Sequence, residues 1–410
     1  MSRILLLMST ETYRAVDFMA AARKLGHQVV VGLDQPDPLE NLSRGGTVSL
    51  DFLDLEASVE RIQGLHGDSP LQAVVSVDDS ATVLAARSSA RLGLPTNPEE
   101  GVVAGANKAV FREVMEAAGL RSPWYRRYPL TADAEAVSGE VPYPCVLKPL
   151  FLNASRGVVR ADDPAGFIAA FGRIATMLND PDLKKRGGEA AEFLLVESFM
   201  PGKEVALEGM IHEGEFHLLA FFDKPDPLDG PFFEETLFIT PSRLPGGVQE
   251  AVLAVAARGA RALGLRTGAV HAELRLDGGE PYLLEIAPRS IGGHCSRSLR
   301  FGAGMSLEEL ILRQAMGQPQ DAAERESQAA GVMMIPIPGA GALHAVNGLE
   351  AAKAVRGIED VEIAIPLTQR VVPLPEGHRY LGFIFAKGDH PQDVESALRE
   401  SHGKLTFEIG

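Results

Sequence analysis

The spacing of apolar residues divides this chain into three stretches. In the first, residues 3 to 8 (RILLLM) read as a short buried strand, residues 11 to 25 carry a helical period ending on Arg23 and Lys24, and residues 27 to 33 (HQVVVGL) return to a strand. This βαβ opening continues through LQAVVSVDD (71 to 79) into a helix near 81 to 92, stopped by Gly93-Leu94-Pro95. A doubly wound parallel sheet is predicted. Its first strand-to-helix turn, Ser9-Thr10-Glu11-Thr12, lacks G-x-G-x-x-G, which argues against a dinucleotide site.

The second stretch changes character. A helix through KAVFREVMEAAGL (108 to 120) is followed by strands in VPYPCVLKPL (141 to 150) and AEFLLVESFM (191 to 200), and by two more around Glu213-Gly214. These are antiparallel signals. The amphipathic helix MSLEELILRQAMG (305 to 317) closes the unit, and the polar run QDAAERESQAA (320 to 330) reads as a connector. The third stretch alternates VMMIPIP, a helix near 348 to 355, VEIAI, YLGFIFAKG, a helix near 391 to 401 and KLTFEI, a small C-terminal α/β module. The expected domains are therefore 1–97, 98–320 and 331–410, a multidomain chain of mixed α/β and α+β class.

Composition narrows the function. Among 410 residues, 55 acidic against 39 basic side chains give a net charge of −16, which argues against a nucleic-acid partner. No run approaches the roughly 18 apolar residues of a membrane span, and the apolar run at the N-terminus is short for a signal peptide. Two cysteines, Cys145 and Cys295, suit a reducing compartment, so a cytoplasmic protein without a membrane partner is expected.

The most informative segment is GAVHAELRLDGGEPYLLEIAPRSIGG (268 to 293), two strand-like runs meeting at a glycine-rich turn. A three-residue loop would pair positions of like parity, placing Glu273 and Glu285 on one face with His271, Ala287 and Arg289. Ala272, Leu274, Leu276, Leu284 and Ile286 would form the opposite, core-facing surface. Two close carboxylates beside an arginine repel each other unless a divalent cation, magnesium with a nucleotide, lies between them. The alternative is the solvated face of an ordinary hairpin.

Three further features bear charge. Lys148 ends the apolar run Cys145-Val146-Leu147, and the loop Asn153-Ala154-Ser155-Arg156-Gly157-Val158 behind it is small enough to bring N–H groups against phosphate. Lys108 opens a helix. Glu197 and Glu204 frame the bend Ser198-Phe199-Met200-Pro201-Gly202-Lys203, where a base could lie on Phe199 and Met200. Each alone reads equally as surface.

Their order, Lys108, Lys148 with its loop, V-E-x-F-M-x-G-x-E (Val196 to Glu204) and E-x11-E-x-x-x-R (Glu273 to Arg289), resembles that of ATP-grasp enzymes over about residues 1 to 320. Residues 230 to 245 (GPFFEETLFITPSRLP) and Arg289-Ser290-Ile291-Gly292-Gly293 make the chain most similar to carboxylate–amine ligases of the L-amino-acid ligase type. The resemblance implies ATP as cofactor, with Lys108 and Lys148 on its phosphates, loop 153–158 within a mobile lid of about 123–195, Glu197 and the backbone of Ser198, Phe199 and Met200 facing adenine, and Glu204 on ribose. It implies Mg²⁺, or Mn²⁺, on Glu273 and Glu285, and Arg289 beside the transferring phosphoryl group.

For a carboxylate and an amine substrate, the candidate contacts are His271, Glu234, Glu235, Arg289, Ser290, His294 and the N–H groups of Gly292 and Gly293, the latter leading toward a helix. The resemblance also implies a homodimer. One departure is Ala287, where family members often carry an asparagine as an additional metal ligand; water would take that place. Two other readings stay open: a carboxylase or formyl-phosphate-type transferase, and a nucleotide-binding module without catalysis.

Overall fold

The architecture, given by a computed structural model that describes residues 2–36, 46–318 and 324–410, consists of layered sheets and helices. The predicted connector lies partly outside these residues, and its end, Ala329 and Ala330, already belongs to a strand. No helix among the described residues is long and apolar enough to cross a membrane.

The N-terminal sheet is parallel throughout, in the order Thr47–Ser49, Gln28–Leu33, Arg3–Met8, Ala73–Ser76. Arg3–Met8 is an unbroken apolar run because both of its faces are covered. Leu5 and Leu7 pack with Val30, Val59 and Leu84 on one side, and Ile4 and Leu6 with Phe18, Phe222 and Ile291 on the other. The second cluster fixes this sheet against the rest of the molecule.

An antiparallel sheet of four strands follows, ordered Tyr125–Pro129, Phe193–Ser198, Cys145–Pro149, Val159–Ala161. The helix Pro164–Leu178 covers it, burying Phe167, Phe171 and Ile174. The central sheet has eight strands: Glu280–Ala287, Gly268–Asp277, Lys203–His212, Glu215–Asp223, Leu237–Thr240, Ala329–Ile335, Gly382–Gly388 and Ile358–Ile363. Its last three come from the C-terminal stretch, which continues the central sheet through Ala329–Ile335 against Leu237–Thr240. Thus the C-terminal α/β module shares a sheet with the unit before it.

The hairpin differs from expectation in its turn. Two residues, Gly278 and Gly279, make it, with φ of 61° and 90° and Asp277 paired to Glu280. Positive φ at both central positions suits glycine and matches the strand twist. Like-parity pairing arises instead at a register shift: Leu274 pairs with Leu283 while Glu273 pairs with Glu285, leaving Leu284 as the extra residue. Accordingly Leu283, rather than Leu284, enters the core with Ala272, Leu274, Leu276 and Ile286.

Candidate active site

The site is built on one face of three adjacent strands. Along Lys203–His212, Val205, Leu207 and Ile211 pack into the core beneath the helix Gly246–Ala262, so the alternate positions Glu204, Ala206 and Glu208 face the other way. Register sets Arg275 opposite Glu204, Glu273 opposite Ala206 and His271 opposite Glu208, while Glu285 pairs with Glu273 from the outer strand. Four carboxylates, an imidazole and a guanidinium therefore share one surface.

A lysine holds much of this charge. Lys224, one residue beyond the strand Glu215–Asp223, donates from Nζ to Glu204 and Glu235, and to Glu273 at 3.2 Å. Burial would lower its pKa, but the three carboxylates outweigh burial and hold the ammonium well above its ordinary range. Burial pushes the Glu235 carboxyl up, with the neighbouring Glu273 charge adding to it against Lys224. Glu273 goes the other way: Lys224 and His271 overcome its burial and keep it ionised.

Behind Glu273 lies a chain of polar groups. His271 Nε2 is 3.4 Å from Glu273 Oε1, and His271 Nδ1 is 3.8 Å from Glu208 Oε2. Glu208, 0% exposed, accepts the Ile291 N–H at 2.9 Å, which ties the loop after Arg289 to the sheet. Burial drives the Glu208 carboxyl well above the usual range, against the Ile291 N–H and the Arg14 charge. A Glu208→Gln variant is expected within about 1 kcal/mol of the parent, whereas Glu208→Ala, orphaning Ile291 N–H, should lose about 2–3 kcal/mol by urea denaturation.

The cationic side of the cleft comes from the smaller antiparallel sheet and the helix Lys108–Ala117. Lys108 Nζ donates to the Leu152 carbonyl at 2.6 Å. Burial lowers its pKa foremost, against the pull of Glu285. Lys148 Nζ meets Glu197 Oε2 at 2.6 Å, and Arg112 Nε meets Glu197 Oε1 at 2.6 Å. Burial alone would raise Glu197; Arg112 and Lys148 reverse it and hold the carboxyl down at about 2. The Glu197 carboxylate, 1% exposed, is thus held between two cations.

The backbone beyond Glu197 turns sharply. Gly202 has φ of 97°, and a Cβ there would stand 1.9 Å from the Leu276 carbonyl oxygen, so only glycine fits the bend between Glu197 and Glu204. Ser198 N–H is bonded to Trp124 O, and Met200 O accepts from Arg275 Nη1. Phe199 lies 6.4 Å from Phe233, with the Arg160 guanidinium 4.2 Å from its ring centroid. Ser155, at φ 54°, and Gly157 lie in the loop behind Lys148, where Gly157 N–H bonds to Pro375 O at 2.7 Å and Arg173 pairs with Glu376.

Arg289 ends the acidic face. Its Nε donates to Asp79 Oδ1 at 2.8 Å, and Asp79 Oδ2 accepts from Asn153 Nδ2 at 2.8 Å, joining the N-terminal sheet to two segments of the middle unit. Burial would raise Asp79, but Arg289 outweighs it and holds the carboxyl low.

The structure narrows the expectations for the residues that follow. Ser290 Oγ is taken by Arg14. Gly293 N–H already donates to Tyr13 Oη at 2.6 Å, so it is not free for a substrate carboxylate as expected. Beyond Gly292 and Gly293 stands only the 3₁₀ turn Cys295–Ser298, too short to give a helix terminus. His294 is buried between Tyr13 and Phe383 at ring distances of 4.5 and 4.7 Å. Glu234 is half-buried, and burial raises its pKa against the Ile337 N–H.

These residues fit a hard divalent cation. Glu285 makes no hydrogen bond or ion pair among the described residues, and its neighbours in charge are Lys108 and Arg289. Oxygen atoms of Glu204, Glu235 and Glu273 lie within 4.8 Å of one another, although the Lys224 ammonium stands among them. Such all-carboxylate donors suit Mg²⁺. Ala287 adds no oxygen to the set.

Sequence reasoning missed Lys224, Glu208, Arg112 and Asp79. Lys224 repeats the signal of Lys148, a lysine closing an apolar strand. Arg112 interrupts the inner stripe Ala109, Phe111, Met115, and a cation there demands a buried partner. Glu208 shares the parity of Glu204. Asp79 had no local signal beyond its place after a strand.

Comparison with known proteins agrees with this geometry. Residues 141–298 match the ATP-grasp domain, residues 19–96 the ATP-grasp N-terminal domain, and residues 333–410 the L-amino acid ligase C-terminal domain 2. The protein y4rH of Sinorhizobium fredii is 24% identical, aligned over 100% of this chain and 84% of its own. Alanine–anticapsin ligase of Bacillus subtilis is 27% identical over 55% of this chain and 50% of its own, so the chain spans about half the length of that relative. The crystal structure of the L-amino acid ligase from Bacillus licheniformis superposes with a TM-score of 0.84 at 24% identity, covering 100% of this chain and 99% of that one. In chain order, residues 19–96, 141–298 and 333–410 thus match an ATP-grasp N-terminal domain, an ATP-grasp domain and an L-amino acid ligase C-terminal domain, on a fold similar to that of the Bacillus licheniformis enzyme.

Proposed function

We propose that this chain is an ATP- and magnesium-dependent carbon–nitrogen ligase, which activates a small carboxylate, an amino acid, as its acyl phosphate and passes the acyl group to an amine. The observation that carries the reading is the cross-strand pair Glu273 and Glu285, followed by Arg289 and faced by Lys108 and Lys148. The L-amino acid ligase C-terminal domain supports the ligase chemistry in particular. A carboxylate oxygen attacks the γ-phosphorus and ADP leaves; the amine nitrogen then attacks the acyl carbon, loses a proton and expels phosphate, giving an amide or dipeptide.

Bound by Glu273 and Glu285, Mg²⁺ supplies charge neutralisation for the phosphates, a role Mn²⁺ can share. Lys108 and Lys148 hold the phosphate oxygens, Glu204 the ribose, and the backbone from Glu197 to Met200 the base. Arg289 offsets the charge gathering on the acyl phosphate. Glu235 and His271 face the amine-bearing substrate. The smaller antiparallel sheet, within residues 123–195, is the lid that excludes water from the acyl phosphate. The domains in this reading are 1–97, 98–320 and 331–410, in a cytoplasmic homodimer acting on small molecules.

Release of ADP and phosphate from Mg-ATP, measured over amino acids singly and in pairs, tests it. A specific pair should be required, and Glu285→Ala and Arg289→Ala should each lower turnover about 10²–10³-fold. Release driven by bicarbonate or formate alone would replace this reading with carboxyphosphate or formyl-phosphate chemistry.

A further inference from the structure

A cavity of about 130 Å³ lies beside the edge strand Ala73–Ser76, between the N-terminal sheet and the central unit. Val75 and Ser76 form one wall, Ala85 and Ser89 of the helix Thr82–Arg91 a second, and Gln314 of the helix Leu307–Ala315 a third. Arg289 closes one end. Three features indicate that it accommodates a ligand.

Among the described residues, no strand pairs with the outer side of Ala73–Ser76. Val74, Val75 and Ser76 are partly exposed, so this edge leaves a row of backbone N–H and C=O groups open to a further partner. Gln314, 8% exposed, donates from Nε2 to Ile211 O, while its Oε1 has no partner. A buried amide oxygen at the wall of a cavity with mixed polar and apolar lining is satisfied by a donor occupying that cavity. Finally, a cation stands at one end: Arg289 lines the cavity, paired with Asp79, and Arg14 is bonded to the adjoining Ser290.

We propose that this cavity is a second small-molecule site, which takes a short peptide or N-acyl amino acid with small side chains. The free strand edge pairs with its amide, Gln314 Oε1 accepts from an N–H, and Arg289 receives its terminal carboxylate. The choice of ligand rests on the ligase reading, since this is the class of product that reaction forms. Because Arg289 also borders the acidic face, occupancy of the cavity draws it from the reaction and makes the product an inhibitor.

The test uses the full chain without nucleotide. L-alanyl-L-alanine, titrated calorimetrically, should bind saturably and should slow amide hydrogen exchange in residues 71–77. Ala85→Phe, which fills the cavity, and Gln314→Leu should each weaken that binding at least about tenfold while MgADP affinity stays within about twofold. No saturable binding, no added protection of residues 71–77, or unchanged affinity in Ala85→Phe would each overturn the proposal; the exchange measurement needs no variant. Dipeptide binding with no ATP turnover for any acid and amine would refute the ligase reading while supporting the cavity, and turnover without dipeptide binding would do the reverse.

Discussion

Arg112→Met is expected to lower stability by about 3–5 kcal/mol, because it removes one cation from a carboxylate that cannot reach water. Glu197 and Arg112 are each 1% exposed, and Arg112 also donates to the Leu283 carbonyl at 2.7 Å, so the variant strands an anion and an acceptor together. The acid limb of the stability curve reports on the same pair. The Glu197 carboxyl falls from an ordinary 4.5 to about 2 in the folded protein. A depressed carboxyl stabilises the fold above its unfolded value, and the benefit disappears as pH drops through 4.5 toward about 2. That shift corresponds to about 3 kcal/mol. Urea midpoints followed by circular dichroism between pH 7 and pH 2 should fall in this window for the parent and change less for Arg112→Met. Equal curves would show that Glu197 draws its charge stabilisation from elsewhere.

Lys224→Met should reduce turnover about 10²–10³-fold, the loss typical of one charge-stabilising group. Its effect on the resting protein separates charge from chemistry. Without the ammonium, Glu204, Glu235 and Glu273 face one another with no cation central to all three, and mutual repulsion should lower the melting temperature. Millimolar Mg²⁺ without nucleotide should then restore more stability to the variant than it adds to the parent, since the donor oxygens are hard and already clustered. Thermal scans with and without Mg²⁺ measure this directly. A variant as stable as the parent and indifferent to Mg²⁺ would refute the charge account of Lys224.

Much of this arrangement can be read from local spacing, and its limits are physical. Period-two alternation sets Glu273 against Leu274 within one strand and Glu285 against Ile286 within the other, but the register shift decides that both glutamates share a face. The turn differs from the three-residue loop that the spacing suggests. Gly278-Gly279 closes a tight two-residue hairpin, and an extra residue at Leu284 restores the pairing, because a register shift depends on how two strands pack rather than on either alone. The N–H of Gly293 looked available since its partner, Tyr13 Oη, comes from the other end of the chain. His294 likewise meets its aromatic neighbours only when the third stretch folds back onto the first two.

By itself the sequence determined the kind of those strands and helices that carry a clear period, and which side chains alternate along each hairpin strand, since these follow from spacing within a few residues. Tertiary structure alone decided which charges meet. Asp79 reaches Arg289 across 210 positions, Arg112 reaches Glu197 across 85, and Lys224 closes on carboxylates from three separate segments. Buried charges need partners in space, and nothing in local periodicity encodes which distant segment will supply them.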